Sequence, residues 1–435
     1  MPSLARKDTG ALRLSIVELT ALLFTLSASF GWLNHKYLHL PHSVGLLLLG
    51  LLASLLLIVM DLAVPQIRLS GQLIDALQQI DFTDVVINGM LAFLLFAGAL
   101  NVNFTALRSK ALRVGYLAVV ATIISTLITG YVIFLVASLL SLPISLPWAL
   151  VFGALISPTD PVAVLTTLKG MSLKDGLKST AEGEALFNDG VGIVLFTVLI
   201  AVAVGHENLE LGAVSLDLLR EAGGGIVLGL VTGYIAYRAM RAIDDFAVEV
   251  LITLAVVAGT YAIAQRLGFS GALATVAAGL LVGERAPKDA MSERTQTYVN
   301  ALWTLIDEVL NSVLFLLIGL ELFIVDFNPF NFAFGLVAIP IVLVSRVIAV
   351  SIPSLLPLRG KPNMRDVPFL TWAGVRGGIS VALVLALPVS EAKPLLLAAT
   401  YAVVLFSIVV QGLTLRPLVR RLGLSEAGED HSAQH

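Results

Sequence analysis

The chain has 435 residues, of which 57% are hydrophobic and only 13% are charged, and its formal net charge is −3. Soluble domains carry about 25% charged residues, so this composition excludes an ordinary soluble protein. The absence of cysteine excludes disulfides and thiolate metal sites, and no basic block indicates nucleic-acid binding. None of the six histidines lies in a strongly apolar span, so we expect no haem, no histidine metal site and no cofactor.

Apolar segments of about 20 residues recur from end to end, which predicts an all-α polytopic membrane protein. Helices are expected because lipid offers no hydrogen-bond partners to the backbone. The first apolar run is interpreted as a span, since it is long and no small-residue cleavage site precedes the next span. We predict about 13 transmembrane helices, the ninth short for a full crossing, at 14–33, 43–60, 83–102, 112–140, 146–168, 180–204, 214–237, 246–265, 270–283, 298–323, 332–357, 367–388 and 394–415.

Lysine and arginine in the connections predict the orientation. The odd-numbered connections carry 18 of them and the even-numbered side carries 7. The positive-inside rule therefore predicts that the N-terminus is outside and the C-terminus in the cytoplasm. The membrane that we expect is the plasma (inner) membrane. Residues 61–82 have an interfacial composition. We predict a single transmembrane transporter domain at 1–421 and a short, disordered cytoplasmic tail at 422–435.

Two predicted spans contain helix breakers at their middle. The run 157–161 in span five is Ser-Pro-Thr-Asp-Pro, and the run 371–378 in span twelve is Thr-Trp-Ala-Gly-Val-Arg-Gly-Gly. Proline removes a backbone donor and glycine permits unwinding. Spans five and twelve are seven spans apart, so they cross the membrane in opposite directions. This offset predicts two inverted six-helix repeats, spans 1–6 and 8–13. Paired broken helices in such repeats indicate a transporter site. The alternative is that the breaks only kink packing helices.

A group of polar residues follows in span six. Asn188 comes four residues after Glu184 and lies near its face of the helix, whereas Asp189 projects about 140° away. We therefore expect Glu184 and Asn188 to form one patch and Asp189 to face the break in span five. A buried Glu184 needs a cationic partner, for which Arg346 and Arg376 are both candidates.

The chemistry of these residues predicts ion exchange. Carboxylate, hydroxyl and carbonyl oxygens are hard ligands that suit alkali cations. A carboxyl group removed from water binds a proton more readily, so one carboxylate that takes either a proton or a cation is the minimal machinery of exchange. The alternative for Asp189 is a structural contact between helices. Asp307 and Glu308 in span ten, with Asn311 one turn on, could line an ion entry funnel or a subunit interface.

These motifs resemble the monovalent cation/proton antiporter family, which includes the NhaP-type sodium/proton antiporters and the sodium/hydrogen exchangers. The resemblance covers nearly the whole chain in order and rests on Thr159-Asp160-Pro161, the segment 184–189, Arg346 and the segment 374–378. It implies 13 helices, a homodimer, and an elevator-like movement of a core domain against a dimerisation domain, the two being interleaved in sequence.

The resemblance also implies roles for individual residues. Asp189 would bind the cation or the proton, and Asp160, Thr159 and Asn188 would belong to its site or support it. Glu184 would form a structural ion pair with Arg346. The alkali cation would be held transiently by the oxygens of Asp189, Asp160 and Thr159. From the sequence itself we expect Arg376 to compensate the charge of the broken helices.

The predicted function is a secondary antiporter, not an enzyme, that exchanges Na⁺ (or K⁺ or Li⁺) for H⁺. An Asn-Asp pair resembles electroneutral one-for-one exchangers. Two departures leave the cation open: Ala185 stands where some relatives have a serine ligand, and 93–100 contains no carboxylate. The alternatives are a channel-like potassium efflux component, or an organic-anion symporter of similar fold. The expected partners are the cation, H⁺, membrane lipid and a second copy of the chain, but no nucleic acid.

Overall fold

The computed structural model describes most of the chain. The described residues are 16–63, 84–102, 104–160, 176–205, 211–321, 328–355 and 363–424, together with Val164, Thr167, Leu168, Met171 and Leu173. The chain before Ile16, most of the predicted interfacial segment 61–82, Pro161 and nearly all of the predicted tail 422–435 lie outside them.

The regular secondary structure of these ranges is helical. Several helices contain or adjoin wide π-helical turns, at Asn34–Leu38, Asp84–Met90, Tyr116–Ala121 and Ser407–Gln411. In chain order the helices are α1 (Ile16–Leu33), α2 (His42–Ala63), α3 (Leu91–Asn101), α4 (Phe104–Ser109), α5 (Ala111–Leu139), α6 (Leu146–Ile156), α7 (Leu177–Ala203), α8 (Leu211–Arg241), α9 (Phe246–Leu267), α10 (Gly271–Asp289), α11 (Glu293–Glu321), α12 (Pro329–Leu355), α13 (Val367–Trp372), α14 (Gly378–Leu385) and α15 (Lys393–Arg421).

Seven of the described helices are long and apolar enough to cross a membrane, namely α5, α7, α8, α9, α11, α12 and α15. The pair Val17–Leu38 and His42–Leu57 passes the same test together, although the two helices are bent by 108°, which brings the number to eight. Helices α3 and α6 are apolar but shorter. The protein is therefore an all-helical polytopic membrane protein, and the count of thirteen spans stays a prediction.

The helices on either side of the two sequence breaks are short. Helix α6 begins with Pro147 in its first turn, where the fixed φ of proline suits a helix start. It ends at Ile156, two residues before Pro158, because proline has no backbone N–H with which to continue the helical hydrogen bonds. Helix α13 ends at Trp372, and the non-helical residues 374–377 separate it from α14.

Three apolar cores position the described helices, and two of them are the larger. The largest core joins α5, α6 and α7 to α12, α14 and α15. A second core surrounds Trp303 of α11 and joins it to α3, α8, α9 and α10. Helix α8 approaches α10 so closely that a Cβ on Gly229 would lie 2.0 Å from the carbonyl oxygen of Ala274. Only glycine fits there, as in other close helix pairs in membranes.

Candidate functional site

Two non-helical segments meet between the broken helices. Residues 157–160 follow α6, and residues 374–377 lead into α14. The backbone N–H of Asp160 donates to the carbonyl of Val375 at 2.7 Å. Non-helical backbone at membrane depth needs such partners because no water is present to replace them. The crossing therefore joins two distant parts of the chain at one point.

Opposite charges compensate the helix ends at this crossing. The guanidinium of Arg376 donates to the carbonyls of Ser157 and, at 3.2 Å, of Pro158, at the C-terminal end of α6. That end carries about half a unit of negative charge, so a cation stabilises it. Asp160 lies beside the N-terminal end of α14, since a Cβ on Gly377 would be 2.5 Å from Asp160 Oδ2. The positive end of a helix favours a carboxylate there.

Asn188 of α7 holds the first broken helix. Its Nδ2 donates to Thr159 Oγ1 at 2.8 Å, and the backbone N–H of Thr159 donates to its Oδ1 at 3.3 Å. Asn188 is fully buried. Asn188 and Glu184, which the sequence predicts to lie near one face of the helix, have different partners: the amide of Asn188 contacts Thr159, and Glu184 pairs with Arg346.

Asp189 lines a cavity of about 180 Å³ together with residues of the crossing. It is 3% exposed, and it interacts electrostatically with Asp160, which in turn interacts with Asp307 of α11. Among the described residues these carboxylates do not converge into a ligand set for a resident metal ion. The polar residues that line the cavity are Asn101, Thr159, Asp160, Glu182, Asp189, Asp307, Asn311 and Ser380.

Glu184 forms a buried ion pair with Arg346 of α12. The two side chains are 2% and 4% exposed, respectively, and Arg346 also donates to the carbonyl of Leu370 at 3.0 Å. Arg376 lies within electrostatic range of both residues, but its guanidinium is engaged with the end of α6. Of the two candidate partners that the sequence offered for Glu184, the structure pairs it with Arg346.

The sequence left open the role of Asp307 and of Asn311, and the structure places both in the cavity wall. Asn311, one turn further along α11, donates from Nδ2 to Asp307 Oδ1 at 3.0 Å and to the backbone carbonyl of Asp307 at 2.8 Å. The i, i+4 spacing of the two residues was the available signal. Glu308 is exposed and does not line the cavity.

The structure contains a second buried ion pair that the sequence did not predict. Arg113 at the start of α5 pairs with Asp366, just before α13. In the sequence, Arg113 is one of the basic residues counted in the connections between spans, and Asp366 belongs to no recognisable motif. Their contact fixes the start of α5 against the start of the second broken helix, and no local spacing predicts it.

Broken helices that cross beside buried carboxylates define the class of protein as a secondary ion transporter. The family follows from comparison with known proteins. Residues 22–421 match the family described as the transmembrane sodium/hydrogen exchangers, and the chain belongs to this family. The predicted family is thereby confirmed.

Individual relatives agree with this assignment. The Na⁺/H⁺ antiporter NhaP of Pseudomonas aeruginosa is 38% identical over 97% of this chain and 100% of its own length. The Na⁺/H⁺ antiporter NhaH of Halobacillus aidingensis is 36% identical over 90% of this chain and 94% of its own. The fold is similar to that of the sodium proton antiporter MjNhaP1 from Methanocaldococcus jannaschii, with a TM-score of 0.71 at 19% identity over 92% of this chain and all of that structure.

Proposed function

We propose that the chain is a secondary active antiporter that exchanges Na⁺, with K⁺ or Li⁺ as alternative cations, for H⁺. The observation that carries this proposal is the cavity that Asp189 and Asp160 share at the crossing of the broken helices. Relatives named Na⁺/H⁺ antiporters, which match nearly the whole chain, support the same reaction.

Asp189 is the proposed exchanging group. A buried carboxylate without a counter-charge is costly, so it holds either a proton or an alkali cation. Asp160, Thr159 and Asn188 complete the proposed site, because carboxylate, hydroxyl and amide oxygens are hard ligands that replace the water around an alkali cation. Arg376 keeps the end of α6 in place while the occupant changes.

The charges around the cavity support electroneutral one-for-one exchange. Asn188 is uncharged, and Glu184 is already neutralised by Arg346. Asp189 then carries one proton or one monovalent cation in turn, and each form has the same net charge. Transport by alternating access would move equal charge in both directions.

The wider architecture that we propose is the one expected for the family. Each chain has one transporter domain at 1–421, with 13 spans that include two inverted six-helix repeats. Two copies form a homodimer in the plasma (inner) membrane, and the C-terminus lies in the cytoplasm. The positions of the two breaks, in predicted spans five and twelve, support the repeats. The 18-to-7 distribution of basic residues supports the orientation.

Vesicles that contain the purified protein and a pH-sensitive dye test this function. An imposed Na⁺ gradient should move protons in the opposite direction without a membrane potential. Asp189→Asn should abolish this movement, whereas Asp244→Asn, the same change at an exposed loop carboxylate, should leave it intact. Exchange that survives Asp189→Asn, or an internal pH that ignores the Na⁺ gradient, contradicts the proposal.

The two other classes give different results in the same vesicles. A channel-like potassium efflux component would give a flux driven strongly by voltage. An organic-anion symporter would need basic residues in its cavity, whereas the charged residues that line this cavity within the described ranges are all acidic: Asp160, Glu182, Asp189 and Asp307. Repeating the assay with Na⁺, K⁺ and Li⁺ in turn determines the cation preference.

A further inference from the structure

A larger groove, of about 770 Å³, lies between α7, α8 and α10. Its floor is apolar and includes Phe187 of α7, Ile226 and Leu230 of α8, and Leu280 of α10. Ile226 and Leu230 are 39% and 45% exposed, so the groove is open along α8. Because α7 and α8 are both apolar enough to cross a membrane, this opening meets lipid.

One end of the groove is charged. Arg108 comes from α4, and Arg285 and Lys288 come from the last turns of α10. These basic residues belong to connections that the positive-inside count predicts to be cytoplasmic. The groove therefore joins an apolar floor to a basic end at the predicted inner surface of the membrane.

The acidic residues at this end already have partners. Glu284 pairs with Lys288. Asp289 accepts a hydrogen bond from the hydroxyl of Tyr237 at 2.7 Å and lies 3.8 Å from the guanidinium of Arg241.

The two arginines of the groove lack such partners. Within the described part of the chain, neither Arg108 nor Arg285 has a carboxylate at ion-pair distance. Arg285 lies over the ring of Tyr237, 5.8 Å from its centroid, which fixes its direction without neutralising it. The end of the groove thus keeps two guanidinium groups whose charge is not balanced.

We propose that this groove binds an anionic phospholipid, with its phosphate at Arg108 and Arg285 and an acyl chain along the apolar floor. Basic pockets between membrane helices on the cytoplasmic side suit anionic head groups. A zwitterionic lipid would balance its own charge and gain little from the arginines, and a free anion would leave the apolar floor uncovered. Only an occupant with both an anionic head and an apolar tail fits both parts of the groove.

The groove lies against the helix that carries the ion site. Phe187 lines the groove. Of the next two residues, Asn188 hydrogen-bonds Thr159 and Asp189 lines the ion cavity. A lipid chain packed on Phe187 would restrict movement of α7 relative to α8 and α10. The bound lipid should therefore change the exchange rate, a part of this inference that rests on the proposed antiport function.

Native mass spectrometry of the purified protein with phosphatidylglycerol or phosphatidylcholine tests the binding site. We expect wild type to retain phosphatidylglycerol selectively. Each basic residue near an anionic group contributes roughly five-fold in affinity, so Arg108→Gln/Arg285→Gln should weaken retention about 25-fold. Arg238→Gln is the control, because Arg238 is an exposed arginine near the C-terminal end of α8 that does not line the groove. This variant should retain the lipid as wild type does.

A second variant tests the apolar half of the site. Leu230→Trp fills the exposed floor without a change in charge and should displace phosphatidylglycerol as well. The proposal is overturned if the double arginine variant binds like Arg238→Gln, if phosphatidylcholine is retained equally, or if inorganic phosphate displaces the lipid at matched concentration. Retention by Leu230→Trp would equally remove the acyl chain from the groove.

Exchange assays in vesicles test the coupling to transport. Vesicles of phosphatidylcholine with and without phosphatidylglycerol should give different wild-type Na⁺/H⁺ exchange rates, and the double arginine variant should lose this difference. An unchanged lipid response in that variant contradicts the coupling. A protein that binds the lipid as expected but exchanges no ions would refute the proposed function and leave the lipid site standing.

Discussion

Gly377→Ala places one methyl group where Asp160 leaves no room. The new Cβ would lie 2.5 Å from Oδ2 of Asp160 and 2.6 Å from its Cβ. Rotation of the carboxylate moves Oδ2 but leaves the Cβ of Asp160 in place, so the backbone has to shift. Ordinary contact begins at 3.4 Å, which requires the two segments to part by about 0.8 Å. The 2.7 Å hydrogen bond from the Asp160 N–H to the carbonyl of Val375 resists that movement.

Forcing an extra methyl group into a packed site costs about 1–3 kcal/mol, which corresponds to about 5- to 150-fold in an equilibrium constant. Because the strain falls on Asp160, we expect the KM for Na⁺ to rise by a factor in this range, measured as Na⁺-driven proton movement in vesicles. Gly259→Ala is the matched control, since its Cβ would meet nothing within 4 Å. A folded Gly377→Ala protein with the KM of wild type would refute the reasoning.

Three further predictions concern polar residues near the crossing. Glu184→Gln leaves Arg346 buried without its counter-charge and should cost about 3–5 kcal/mol of unfolding free energy, most of which Glu184→Gln/Arg346→Gln should restore. Additive losses in denaturant unfolding would argue against the pair. Asn188→Asp adds a carboxylate to the site and should make exchange sensitive to membrane potential; a rate that stays independent of an imposed potential would show that this position does not set the stoichiometry. Asp307→Asn removes negative charge from the cavity wall and should raise the KM for Na⁺ about five-fold, or by about 1 kcal/mol, whereas Glu308→Gln on the exposed face should not. Equal effects of the two changes would mean that surface charge, rather than the cavity, attracts the ion.

The features of the fold that depend on local chemistry could be predicted from the sequence. The prolines of 157–161 and the glycines of 371–378 act within a turn of their own position, and helices end near both runs. Hydropathy alone, however, ended predicted span nine at residue 283, whereas α10 continues to Asp289. The extra turns are polar and carry the i, i+4 pair of Glu284 with Lys288, which stabilises helix outside an apolar segment.

The composition of the site could be predicted further than its contacts. Helical spacing correctly separated the directions of Glu184 and Asp189, but it describes one helix and says nothing about which neighbour lies on each side. The contact of Asn188 with Thr159 could therefore not be predicted from the spacing. The choice between Arg346 and Arg376 depended on the carbonyls at the end of α6, which engage Arg376 and leave Arg346 for Glu184. Such a competition between elements far apart in sequence has no local signature.

The contact between Arg376 and the end of α6 bears on how the protein is made. Arg376 follows Ser157 by 219 residues. At about 5–20 residues per second, synthesis of that stretch takes about 11–44 s, during which the carbonyls at the end of α6 have no guanidinium beside them. Bare carbonyls in lipid are costly, so the newly inserted half should stay hydrated at this point until the last helices arrive. Since the chain has no cysteine, Ser157→Cys would report this directly: a water-soluble thiol reagent should label nascent chains that stop before Arg376 and should fail to label the finished protein.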